Sequence, residues 1–501
     1  MSLAKRVAHN TLVQIAAKIV STILGLLALA FITRYLGLAG FGEYTTIITF
    51  LTFFAVIADF GLTLVTVQMI SGRDGSNGAE ENKILNNLFG LRLISILLFL
   101  ALAPLLISFF PYGATVKTGV TLALAAFLFP ALNQILIGLF QKRLSMNRNA
   151  LAEIASRVIL IIGLLITKYF QLGLNGVLLA TVASAAGSFL LHYLLALKFA
   201  VISPRFDWPI WKKIISKSWP LAITIVLNLI YLRADTLLLS LFRGANEVGL
   251  YGATYKIIDV LTTIPFMFAG LILPILTAAW AENNHPYFKK VLQRSFDFMA
   301  LIAIPLVIGA QFLGRPIMSF VAGRDFAASG GILQVLIFAV AAIFLGTMFS
   351  HAVIALDKQK KMIVFYVFTS LSSLIAYLVL IPRFSYFGAA SVTIYSEVLI
   401  AIFSAYCVFK YSHFRLDLKI SLKSLASGLL MGGFLYFFPG HYQNTIGGLS
   451  VTIVLASLVY FSFLYLFGGI KKNDLEIIFK RQKKSGGQAY GIGSNLDGPN
   501  L

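Results

Sequence analysis

The chain has 501 residues, 59% of them hydrophobic and only 12% charged, with a formal net charge of +21. Charged residues make up about a quarter of an ordinary soluble protein, so a soluble globular fold is excluded. A single cysteine, Cys407, excludes both a disulfide framework and a cysteine-rich metal centre.

Apolar runs of about 20 residues, the length a helix needs to cross a bilayer, recur from end to end. A β-barrel, the other spanning architecture, would instead show short alternating segments. The expected fold is an all-α polytopic membrane protein with about fourteen transmembrane helices. MSLAKRVAHN leads into span one, 11–33, without a small-residue cleavage site, so this helix is read as a retained span carrying Lys18. Spans two to six are 44–70 with Asp59, 84–110 with Arg92, 118–140 with Pro130, 150–167 with Arg157, and 173–197. Span seven, 218–242, carries Arg233 and Asp235; span eight, 250–278, carries Lys256, Asp259, Pro265 and Pro274. Spans nine to twelve are 292–313 with Pro305, 332–356, 362–381, and 387–409 with Glu397. Spans thirteen and fourteen, 424–438 and 446–469, lie in a stretch from Ser424 to Ile470 that holds no Lys, Arg, Asp or Glu. The longest connections, around 71–83, 198–217 and 314–331, are too short for a catalytic domain. After Ile470, KKNDLEIIFKRQKK reads as a basic amphipathic segment for anionic headgroups, and the Gly/Asn/Ser-rich remainder as disordered.

Loop charge sets the orientation. With the N-terminus inside, inner segments hold 28 Lys and Arg and outer segments seven. That asymmetry puts both termini in the cytoplasm and accounts for most of the net charge without a nucleic-acid partner. Trp208, Trp211, Trp219 and Trp280 fall at inner span ends, as an interfacial belt would.

An internal repeat is visible. Gly37-x4-Gly42-x-Tyr44 follows span one, and Gly244-x4-Gly249-x-Tyr251 follows span seven. IGLFQKR and IALDKQK end spans four and ten; LGLNGV and SYFGAA open spans six and twelve. These matches, in order and at similar offsets, imply two six-helix pseudo-repeats around a central cavity, plus two extra C-terminal helices. The expected divisions are 1–210, 211–415, 416–470 and the tail 471–501. The repeat glycines read as tight turns, where φ > 0 is free of steric cost.

RYLGLAGFGEY after span one, with LRADTLLLSLFRGANEVGLYGATYKI across spans seven and eight, resembles the polysaccharide flippases of the multidrug/oligosaccharidyl-lipid/polysaccharide exporter superfamily. The resemblance implies translocation of a lipid-linked oligosaccharide, typically on undecaprenyl diphosphate, from the inner to the outer leaflet of the cytoplasmic membrane. It also implies alternating access between two lobes, a Na⁺ or H⁺ gradient in place of a cofactor, and polysaccharide assembly proteins as partners.

Charge inside the spans marks the candidate site, because each such group costs about 2.5–3.5 kcal/mol at the bilayer centre on insertion scales. Fixed cations offset the cost of drawing a diphosphate inward, and Arg binds phosphate oxygens bidentately. Substrate-binding candidates are Arg233, Lys256, Lys18 and Arg157. Arg92 near the inner edge reads as snorkelling. Ion-coupling candidates are Glu397, Asp235, Asp59 and Asp259; the i, i+3 spacing makes Lys256 and Asp259 potential partners. Tyr231 and Tyr255 flank the charges and suit sugar stacking, although packing is their commoner use. His192 and His351 lack metal-ligand spacing and read as structural. A membrane-embedded sugar polymerase or ligase should carry a large outer loop with catalytic residues, and the outer loops here are too short for one; no G-x4-G-K-[ST] loop suggests ATP. A flippase for the lipid-linked peptidoglycan precursor fits the same layout. A multidrug exporter fits less well, given fourteen spans and several intramembrane cations.

Overall fold

The structure, a computed structural model, describes residues 3–71 and 78–470; the basic tail predicted after Ile470 lies outside the described residues. The first half of the chain folds as α1 (Leu3–Asp59), α2 (Leu62–Ser71), α3 (Gly78–Ile107), α4 (Ala114–Leu122), α5 (Ala125–Lys142), α6 (Met146–Tyr169) and α7 (Gly173–Ala196). The second half folds as α8 (Trp208–Phe242), α9 (Ala245–Ala281), α10 (His285–Val321), α11 (Ser329–Ala355) and α12 (Gln359–Ser412). Then come α13 (Lys419–Phe437) and α14 (Ile446–Leu466). Among the described residues there is no strand.

Twelve helical segments are long and apolar enough to cross a membrane. Two of them, Ala16–Asp59 and Gln359–Ser412, are 44 and 54 residues long. As straight helices they would run about 66 and 81 Å, more than twice a hydrocarbon core of about 30 Å. Each is broken near its middle, α1 at Gly37 (φ 66°) and α12 at Ser385 (φ 54°). Lys18 and Tyr44 line one cavity, although a straight helix would hold them about 39 Å apart. A side chain at Gly388 would run into the carbonyl oxygen of Leu380. Both segments are therefore helical hairpins, which brings the candidate crossings among the described residues to about fourteen. Gly37 takes its left-handed backbone freely; Ser385 takes it while its hydroxyl donates to Glu247.

Two expectations need correction. Residues 208–217 are the first turns of α8, not loop, so that connection is half as long as predicted. Trp211 is buried, its ring 4.6 Å from that of Phe206, so it is core and not part of an aromatic belt; Trp208 and Trp219 are exposed.

The repeat glycines do more than turn the chain. Only Gly37 has φ > 0; Gly244 is an extended cap residue before α9. Gly42 of α1 lies so close to the carbonyl of Ala245 that a Cβ would collide with it, and Gly249 of α9 lies equally close to the carbonyl of Leu38. The repeat offset maps Gly42 onto Gly249 and Leu38 onto Ala245, so the two contacts are one contact seen from each side of a pseudo-two-fold axis. Arg34 adds to this seam by donating to the carbonyls of Val321 (3.0 Å) and Phe320 (2.5 Å) at the end of α10. The halves are thus closed against each other at the end bearing Gly37 and Gly244.

The final helix pair packs on α10 through Leu313, Met431, Leu435 and Tyr460. Tyr460 OH lies 2.6 Å from Ser424 Oγ and donates to Leu301 O at 2.9 Å, which ties the pair to α10.

Candidate functional site

Below the glycine seam lie two adjoining cavities, one between the halves and one within the second half, that share one residue, Asp259. The first, about 370 Å³, lies between α1, α6 and α9. Lys18, Arg157 and Lys256 line it, one from each helix. Lys18 Nζ is 3.2 Å from Glu153 Oε1, which also accepts from Ser21 Oγ at 3.0 Å. Among the described residues Arg157 Nε reaches only Ser21 Oγ, at 3.5 Å. Lys256 is exposed to the cavity, with no carboxylate in ion-pair range among the described residues.

The second cavity, about 250 Å³, lies between α8, α9, α11 and α12. Arg233 and Asp259 form its rim, Nη2 to Oδ1 2.8 Å, and the guanidinium lies 5.4 Å from the centroid of Tyr255. Asn228, Tyr231, Tyr366, His351 and Glu397 contribute to its polar lining, with hydroxyls that include those of Ser350 and Thr393.

Three of the four predicted substrate-binding cations therefore meet in one cavity, and Arg233 does not join them. Its helix belongs to the second half of the chain and turns it toward the smaller cavity. Asp259 pairs with Arg233 across two helices and not with Lys256 three residues before it. Arg92 does not snorkel. It is 3% exposed, holds Asp59 at 2.5 Å and donates to the carbonyl of Ala131 at 3.0 Å. Thr63 Oγ1 also donates to the same Asp59 oxygen, Oδ1, at 2.5 Å, so that carboxylate is engaged away from both cavities.

Asp235 is completely buried. It accepts from the hydroxyls of Tyr251 (2.7 Å), Tyr255 and Thr393 (3.3 Å), and from the amide of Thr236 at 2.5 Å. All of these partners are neutral. Glu397 is 8% exposed, and its Oε1 has no hydrogen-bond partner. His192 lies between Ser188 O, 2.8 Å from Nδ1, and the side-chain amide of Asn149, 3.1 Å from Nε2, the setting of a structural histidine. His351 instead faces the smaller cavity while bonding Thr347 O at 2.9 Å. No group of three or more potential metal ligands occurs among the described residues.

Sequence reasoning missed Glu153, Ser21 and Asn228. Glu153 sits four residues before Arg157 on α6, a spacing that marks one helix face. Asn228 carries no charge and gave no signal. A third opening, about 420 Å³ and almost wholly apolar, is walled by α9, α10 and α11 with α13 and α14.

Residues 7–280 match the family model described as polysaccharide biosynthesis protein, and residues 220–379 match that of MatE. The chain is 23% identical over 287 residues to the capsular polysaccharide biosynthesis protein CapF of Staphylococcus aureus, covering 56% of this chain and 72% of that one. It is 20% identical over 413 residues to the probable flippase AglR of Haloferax volcanii, covering 79% and 82%. The lipid II flippase MurJ in an inward closed conformation shares the fold, with a TM-score of 0.74 at 18% identity over 94% of this chain and all of that one. The chain belongs to the polysaccharide biosynthesis protein family.

Proposed function

We propose that this multi-pass membrane protein is a flippase. It moves an undecaprenyl-diphosphate-linked oligosaccharide, a polysaccharide repeat unit, from the inner to the outer leaflet by ion-coupled alternating access. Both termini lie in the cytoplasm, and the glycine seam is the closed outer gate. One observation carries the reading: Lys18, Arg157 and Lys256 converge on one cavity from three helices, with Asp259 the only carboxylate in its lining among the described residues and Glu153 behind it on Lys18.

An excess of cations in a low-dielectric cavity is costly until an anion arrives. A diphosphate supplies the missing charge, and Lys and Arg donors suit its oxygens. The polyprenyl tail needs an apolar path beside this site, and the groove along α13 and α14 has that character. These two helices lie outside the repeat, so the groove breaks the two-fold symmetry of the cavity. We assign ion coupling to Asp235. Its partners are hydroxyls and an amide, which rearrange around Na⁺ or a proton without leaving a counter-charge behind.

Binding of undecaprenyl diphosphate to the purified protein tests the reading. Arg157→Ala and Lys256→Ala should each weaken binding by about tenfold, the worth of one charge-assisted contact. Unchanged affinity in both, with tight binding of organic cations, would move the chain to a drug-exporting role.

A further inference from the structure

The smaller cavity differs in chemistry from the cationic one beside it. Its charged and titratable lining groups are Arg233 and Asp259, already paired at 2.8 Å, together with His351 and Glu397. The carboxylate of Glu397 is more than nine-tenths buried, and its Oε1 meets no donor. Asn228 Oδ1, on the same lining, is also buried without a donor. Buried acceptors without donors are destabilising, and the cost is recovered only when a ligand brings O–H or N–H groups. A carboxylate repels phosphate, so this cavity does not suit the diphosphate. Tyr231, Tyr255, Leu336 and Ala339 give its walls aromatic and aliphatic surface, and Thr347, Ser350 and Thr393 add hydroxyls. Aromatic and aliphatic surface against a pair of acceptors is the chemistry that fits a sugar ring, whose faces are apolar and whose edge is a row of donors.

We propose that this cavity is a sugar subsite in which Glu397 and Asn228 accept hydrogen bonds from the hydroxyl and amide N–H groups of the residue nearest the diphosphate. The inference rests on the flippase reading and extends it. The diphosphate sits against Lys18, Arg157 and Lys256, and the first sugar lies across Asp259, the residue common to both cavities. Glu397 then serves selection of the glycan, and recognition divides between two cavities: the anion between the halves of the chain, the sugar within the second half. The cavity's volume suits a single ring, so further sugars of a repeat unit extend beyond it.

The test compares the affinity of the purified protein for undecaprenyl diphosphate with its affinity for the same lipid bearing one N-acetylated hexose. The glycosylated lipid should bind wild type about tenfold more tightly, the increment expected of a hydrogen bond to a charged acceptor. In Glu397→Gln and Glu397→Ala the ratio of the two affinities should fall toward one. Unfolding midpoints of both variants establish that they are folded, and the isosteric Gln keeps the experiment informative if the Ala variant is not. An unchanged ratio in the folded variants overturns the sugar subsite, as does a wild type that binds both lipids equally; either result leaves the diphosphate reading standing. A wild type that binds neither lipid but binds tetraphenylphosphonium through Glu397 overturns both.

Discussion

Gly42 packs directly against the carbonyl oxygen of Ala245, leaving no space for a methyl group, and the repeat reproduces this contact between Gly249 and Leu38. The obstacle is backbone, which has no rotamer to yield. A methyl at residue 42 should therefore disfavour the closed seam relative to any state in which it parts. Thr45, buried beside Gly252 at the seam, is a suitable reporter. With Cys407 replaced by Ser, a Thr45→Cys variant should react slowly with a water-soluble thiol reagent. Adding Gly42→Ala should speed labelling about tenfold, which corresponds to a shift of about 1.4 kcal/mol in the opening equilibrium. An unchanged rate would mean that the seam does not gate access.

Asp59 and Arg92 form a buried pair remote from both cavities, with side chains 14% and 4% exposed. Removing one partner leaves a buried charge without a counter-ion, which costs about 3–5 kcal/mol. Arg92→Ala should lower unfolding stability in detergent by that amount, and Asp59→Asn by less because its amide still accepts from Thr63. Replacing both residues with leucine should cost less than Arg92→Ala alone. A double variant as unstable as the sum of the singles would contradict this account.

Arg233 and Asp259 are more than a third exposed, at 37% and 39%, so their pairing adds little to stability, about 1 kcal/mol or less. Their expected influence is on the charge of the cavities. Asp259→Ala removes the carboxylate both cavities share and frees a cation, and should tighten binding of undecaprenyl diphosphate about threefold. Arg233→Ala frees that carboxylate and should weaken binding by a similar factor. Opposite signs identify an electrostatic role; equal losses in both would identify a structural one.

The fold was legible because lipid leaves the backbone few options. With water absent, runs of about 20 apolar residues must be helices, and charge within them stands out. Lys18, Arg157, Lys256 and Glu397 were visible for that reason alone. Their partners were not. Asp259 has Lys256 three residues away and still pairs with Arg233, because which neighbouring helix approaches is a tertiary fact. Arg92 read as an edge residue because its depth was judged from sequence position; the bend at Phe60 and Gly61 that lets Asp59 meet it leaves little trace in composition. The glycine repeat shows the same limit. Its spacing marked a turn, but the contact between Gly42 and Ala245 joins segments two hundred residues apart. Asn228 was silent, since an uncharged amide in a span is not conspicuous.

The most direct measurement is head-group translocation in proteoliposomes containing the purified protein and a fluorescent undecaprenyl-diphosphate oligosaccharide, with and without Na⁺ and H⁺ gradients. Wild type should move the head group across the bilayer faster with a gradient than without. The folded double variant Arg157→Ala/Lys256→Ala should lose at least about tenfold in rate, following the loss of two charge-assisted contacts. Translocation at the wild-type rate by that variant would contradict the claim that the cationic cavity carries the diphosphate.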